Sequence, residues 1–149
     1  MHKAKILLLC SLLTCASAHA GTYEWTSGWG MGINEHLVDD GNGSELNISC
    51  PNHEEDGYVR AYASIGGQQY SSTEGNGFDV IVDGETYSNP FFTDCRACGA
   101  NFPGFWEALR NANNLKLAAG GQTVNLPTKN ITTVLQPLDS PENSCLSAW

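Results

Sequence analysis

The chain has 149 residues with 16 Asp and Glu against 7 Lys and Arg, a formal net charge of −9. Nucleic acid and anionic lipid both require a basic surface, so that balance excludes them as partners and leaves room for a basic protein. The length sets one domain with a modest core.

Residues 1–20 read as a secretory leader. Lys3 and Lys5 give a basic start, residues 6–16 are almost wholly apolar, and Ala18 and Ala20 flank a peptidase site, with cleavage expected after Ala20. An apolar run of about 11 residues is too short to span a bilayer, which needs about 20. Thr14 before Cys15 replaces the small residue of a lipoprotein site, so we expect a soluble periplasmic or secreted domain over residues 21–149 with no stable membrane insertion. Lys3 and Lys5 leave with the leader, so five basic residues face all 16 acidic ones, a net charge of −11.

Alternating aromatics at Tyr23, Trp25 and Trp29 open the domain. Leu46, Ile48 and Cys50 alternate with polar residues as in a half-buried strand, and residues 58–65 form the longest strand candidate. Residues 78–82 run through Asp83 and Gly84 into residues 85–87, a hairpin signal. Gly-, Asn-, Asp- and Ser-rich turns separate these runs.

After Cys98 the period changes. Phe105, Ala108, Leu109 and Ala112 share one helical face, with Pro103 suited to a first turn. Residues 115–117 and 123–126 flank Gly120 and Gly121 as a second hairpin. Ile131, Val134, Leu135 and Leu138 make a short apolar face, with Asn130 as its expected N-cap. The sum is mainly β: a single antiparallel β-sandwich-like domain with one or two short helices.

Four cysteines remain after the leader, and an even number in an exported domain reads as two disulfides. Of the three possible pairings we expect Cys95–Cys98 and Cys50–Cys145, the second tying the C-terminal segment to a strand of the first half.

No catalytic constellation emerges. His36 lies beside several carboxylates and His53 in an acidic turn, and no serine occupies a Gly-x-Ser-x-Gly elbow. His53 with Glu54, Glu55 and Asp56 is not a zinc motif. Asp40, Asn42 and Ser44 open like a calcium loop, but Glu45 and Pro51 stand where it needs Gly and Glu. We therefore expect neither metal nor cofactor. Cys95 and Cys98 have redox-enzyme spacing, yet they follow a hairpin where a thioredoxin-like fold would put them after its first strand.

Residues 80–138 resemble the second half of the bacterial invasion-associated locus B family. The likeness rests on Val82, Asp83 and Gly84; Pro90 and Phe91; Cys95, Cys98 and Ala100; Ala108, Leu109 and Arg110; Leu115 and Leu117; Gly121, Val124 and Leu126; and Leu135 and Leu138. The family usually carries a cysteine pair near its start, and only Cys50 is available here. The resemblance implies a β-sandwich-like fold, a bacterial exported protein with a link to host-cell invasion or the envelope, and a structural Cys95–Cys98 pair. It transfers no active-site residues.

The expected function is non-enzymatic protein binding, as a virulence-associated module or as an inhibitor or immunity protein of a periplasmic toxin or hydrolase. The expected contacts are Trp25, Trp29 and Tyr70 with the acidic residues Asp39, Asp40, Glu54, Glu55 and Asp56. The alternatives are a thiol–disulfide oxidoreductase using Cys95 and Cys98, and a cell-wall or carbohydrate-binding module using the same aromatics.

Overall fold

The computed structural model describes residues 22–53, 55 and 57–149. The expected leader and cleavage site, over residues 1–21, lie outside the described residues, as do Glu54 and Asp56.

Among the described residues nine strands form two antiparallel sheets. The first is a meander of β1 (Thr26–Gly30), β2 (Ile33–Asp39), β3 (Glu45–Pro51), β4 (Arg60–Ile65) and β5 (Gln68–Ser71), paired in chain order. The second takes the order β7-β6-β8-β9, from β6 (Asp79–Val82), β7 (Glu85–Tyr87), β8 (Leu115–Ala119) and β9 (Gln122–Leu126). Helix α1 (Arg96–Arg110) links β7 to β8, and α2 (Ile131–Val134) follows β9. This is the expected mainly β, sandwich-like arrangement.

Alternation explains which faces meet. In the first sheet Val38, Leu46, Ile48, Cys50, Ala61, Ala63 and Ile65 turn inward and are buried, while Glu45, Arg60 and Tyr62 face solvent. In the second, Val80 pairs with Leu117 and Val82 with Leu115, so all four point to the same side. Strand β4 lies against β8 and β9, and one continuous core spans both sheets.

Helix α1 adds an aromatic layer. Phe102, Phe105, Trp106 and Leu109 form its buried stripe, and Phe105 meets Phe91 edge to face at 5.1 Å. Trp106 Nε1–H donates to the Gln136 carbonyl and Arg110 Nε–H to that of Leu135, docking α1 on the segment after α2.

Sequence pattern and structure differ at both helices. The first begins at Arg96, well before Pro103, which sits in its interior. Cys95 is the N-cap, and its Sγ accepts the Cys98 N–H at 3.0 Å. The second is a single turn; Asn130 precedes it with φ 65° and makes no side-chain cap, its amide donating to Glu24 instead.

Candidate functional site

The strongest surface feature is the β1–β2 hairpin. Gly30 pairs with Ile33, leaving a two-residue turn of Met31 (φ 54°) and Gly32 (φ 78°). Both central residues in the left-handed region give the turn whose twist matches paired strands. Met31 is not a glycine, yet it holds this conformation and is 99% exposed.

Residues directly opposite in an antiparallel pair share a face. Ser27 faces His36 and Trp29 faces Asn34, and along β2 the Asn34, His36 and Val38 side chains alternate onto one side. Val38 is core, so this is the inner face of the sheet, continued past the end of the core. There Trp29 stays 72% exposed.

Under this overhang lies a groove of about 340 Å³, lined by Ser27, Trp29, Asn34 and His36 on the strand side and by Gln136 and Glu142 on the other. Its far wall is held by the Cys50–Cys145 disulfide, which joins β3 to the C-terminal segment across 95 residues. Hydrogen bonds reinforce the wall. Asn34 Nδ2–H donates to Asn52 Oδ1 and Ser144 Oγ, and Ser144 Oγ–H donates to the Cys50 carbonyl. Asn143 is also occupied: Nδ2–H donates to the Gln136 carbonyl, and Oδ1 accepts the Cys145 N–H.

His36 is the titratable group of the groove's inner side. Burial pushes its pKa down to about 4, so the imidazole is neutral at physiological pH. Its Nδ1 is shut from solvent without a hydrogen-bond partner. The His36 ring and the sulfurs of Cys50 and Cys145 lie within 4.8 Å of one another. The two sulfurs are spent on each other, so in the oxidised protein this trio is not a metal-ligand set.

The expected contact residues divide into three places. Trp25 is 1% exposed, its backbone N–H on the Lys129 carbonyl and its indole N–H on that of Pro127. It is a core residue and offers no contact surface, which corrects the expectation for that position. Asp39 and Asp40 lie at the β2–β3 turn, at the opposite end of β2 from Trp29. Tyr70 is half-buried against the core beside Gly120, toward that same end. Glu55 is exposed past the end of β3, and Asn52 N–H donates to the Gly32 carbonyl, so Asn52 adjoins the Met31 turn. Trp29 and Glu55 thus share one end, while Asp39, Asp40 and Tyr70 share the other.

The Asp39 and Asp40 carboxylates serve the turn itself. Asp40 Oδ1 accepts the N–H groups of Asn42 and Ser44. Desolvation pushes the Asp39 carboxyl up, but the N–H groups of Thr22 and Gly41 and the Thr22 hydroxyl outweigh it and leave its pKa below the ordinary value.

Cys95 and Cys98 form the second disulfide, as expected. Both are half-buried, and Cys98 borders a second, more apolar groove of about 720 Å³ walled by Tyr87, Phe92, Phe102 and Phe105. Sequence reading missed the groove under Trp29 because its walls are more than a hundred residues apart. The only local signal is the Met31-Gly32 pair after Trp29, since the residues on either side are too polar and glycine-rich to mark strands.

Among the described residues no helix is long and apolar enough to cross a membrane. Two disulfides fit an oxidising environment outside the cytoplasm. Fold and surface define a small, disulfide-stapled β-sandwich-like domain with a projecting aromatic hairpin. The chain belongs to the YfjT family, whose model matches residues 23–135. No curated protein and no solved structure matches it.

Proposed function

We propose that this is an exported, non-enzymatic module that binds a basic protein through the β1–β2 hairpin. One observation carries the reading: Trp29, near the end of β1, and Met31, on the two-residue turn, a large aromatic and a flexible thioether, both stand exposed at the tip of the hairpin. Aromatic anchors dominate binding energy at interfaces, and a paired turn presents them with little conformational entropy left to lose. The acidic balance of the chain favours a basic partner and speeds its encounter. The leader pattern, and the resemblance to a family linked to invasion and the envelope, support a periplasmic or secreted site of action.

The test is a photo-reactive amino acid placed at position 31 in cells, with position 125 on β9 as control. The expected result is one dominant adduct with a protein of high isoelectric point, formed from position 31 and weakened by salt. No adduct, or the same adducts from position 125, overturns the reading. Adducts to peptidoglycan would favour a wall-binding module.

A second reading, thiol–disulfide exchange at Cys95 and Cys98, is favoured by the cap of α1. A Cys95 thiolate there would accept the Cys98 N–H, and no acidic residue occupies the first turn to oppose it. A reduction potential between about −270 and −120 mV supports exchange, and one below about −300 mV marks a structural bond.

A further inference from the structure

The groove under Trp29 contains groups that the fold itself does not use. Asn34 and Asn143 are engaged in holding the walls. By contrast, the Trp29 indole is largely open to solvent, and the Glu142 carboxylate is exposed and makes no ion pair among the described residues. At about 340 Å³ the space lies at the small end of ligand sites, roughly 300–1,000 Å³, and suits one long side chain.

Its charge is one-sided. Among the described residues Glu142 is the only carboxylate lining it and no Lys or Arg lines it, and His36 carries no positive charge at neutral pH. Two basic residues that flank or bond the α2 segment are committed elsewhere: Arg110 to Glu107 and the Leu135 carbonyl, and Lys129 to Glu24. An anion would find no donor charge here, whereas a cation meets a carboxylate, a neutral imidazole and an aromatic face.

We propose that this groove is the receptor for an arginine side chain of the basic partner, its guanidinium stacked on Trp29 and paired with Glu142. This deepens the protein-binding reading and rests on it. Guanidinium is the better fit among cationic side chains because it is planar and weakly hydrated. It can lie flat on an indole while its edge donates two parallel N–H bonds to a carboxylate. An ammonium group has no planar face to stack and meets a carboxylate as a strongly hydrated point charge, without the bidentate fork. The Cys50–Cys145 staple holds Glu142 near the hairpin before the partner arrives, which lowers the ordering cost of capture.

The test is an NMR titration of the folded chain with a short arginine-bearing peptide, its lysine counterpart and a peptidoglycan-derived oligosaccharide. The expected result is a saturable shift of the Trp29 indole N–H and of amides 134–143, with arginine bound about tenfold more tightly than lysine. Trp29→Ala should abolish binding, and Glu142→Gln should weaken it about tenfold without altering the melting curve. No shift with the arginine peptide, equal affinity in Glu142→Gln, or preference for the oligosaccharide overturns the proposal. The position-31 crosslink separates the two levels. If a basic protein is captured there while the arginine peptide fails, the groove assignment falls and the protein-binding reading stands. If the peptide binds while no protein is captured, the groove assignment stands and the protein-binding reading falls.

Discussion

Cys145 is bonded to Cys50 across 95 residues, and that bond holds the segment carrying Glu142 against the strands carrying His36 and Trp29. A loop of this length, once closed, removes on the order of 4 kcal/mol of chain entropy from the unfolded state. The paired substitution Cys50→Ala with Cys145→Ala is therefore expected to lower unfolding free energy by several kcal/mol in urea. It should also expose the segment after residue 136 to protease before the rest of the domain. A loss under about 1 kcal/mol, with protease resistance unchanged, would show that the hydrogen bonds of Asn34, Asn143 and Ser144 suffice alone.

His36 makes stability depend on pH in a definite direction. Its pKa is about 4 in the folded protein against an unperturbed 6.5, because burial disfavours the imidazolium. Between those values the unfolded chain takes up a proton that the native state refuses. Stability from this group is thus complete above pH 6.5 and declines as pH falls toward 4, by at most about 1.4 kcal/mol per unit. Urea melts at pH 7 and pH 5 should differ by about 2 kcal/mol more in the wild type than in His36→Gln. Equal differences would place the burial cost elsewhere.

Much of the β framework was legible because it depends on alternation within a few residues. Leu46, Ile48 and Cys50 fall in β3, residues 60–65 in β4, and the turns at Asp83-Gly84 and Gly120-Gly121 join strands as their composition implies. Both disulfides pair as expected. Strands β2 and β5 carry no such mark, since Asn34, Glu35 and His36, like Gln68 and Gln69, take their strand character from neighbours rather than from their own composition. The start of α1 was displaced because a cysteine fills the cap position that Ser, Thr, Asp or Asn would advertise. Pro103 has the composition of a first-turn residue, but tertiary packing of Phe102, Phe105 and Trp106 carries the helix through it. The depth of Trp25 was hidden for a different reason: its partners, Pro127 and Lys129, lie about a hundred residues away.

Trp25 and Trp29 are four residues apart and have opposite energetic roles. Trp25 is buried with its indole N–H satisfied, so Trp25→Ala should cost roughly 3–5 kcal/mol through the cavity and the lost hydrogen bond. Trp29 is mostly in solvent, so Trp29→Ala should change stability by no more than about 0.5 kcal/mol. Denaturant melts of the two variants measure both values. A large loss in Trp29→Ala would mean that the hairpin is part of the core and not a free contact surface.

Gly99 and Gly104, both within α1, should respond to alanine with opposite signs. A Cβ on Gly99 would lie 2.5 Å from Trp149 Cβ and 3.0 Å from its backbone oxygen, so the helix admits the C-terminal segment only where a side chain is missing. That segment is also fastened by Ala148 N–H to Thr93 Oγ1 and by Val59 N–H to the Leu146 carbonyl. Gly99→Ala must push backbone aside, at an expected cost of roughly 1–3 kcal/mol. Faster hydrogen exchange at Val59 and Ala148 should accompany that loss. At Gly104 a Cβ meets nothing within 4 Å, so Gly104→Ala gains helix propensity and should stabilise by roughly 0.5–1 kcal/mol. If both variants shift stability the same way, Trp149 does not rest on Gly99 in solution.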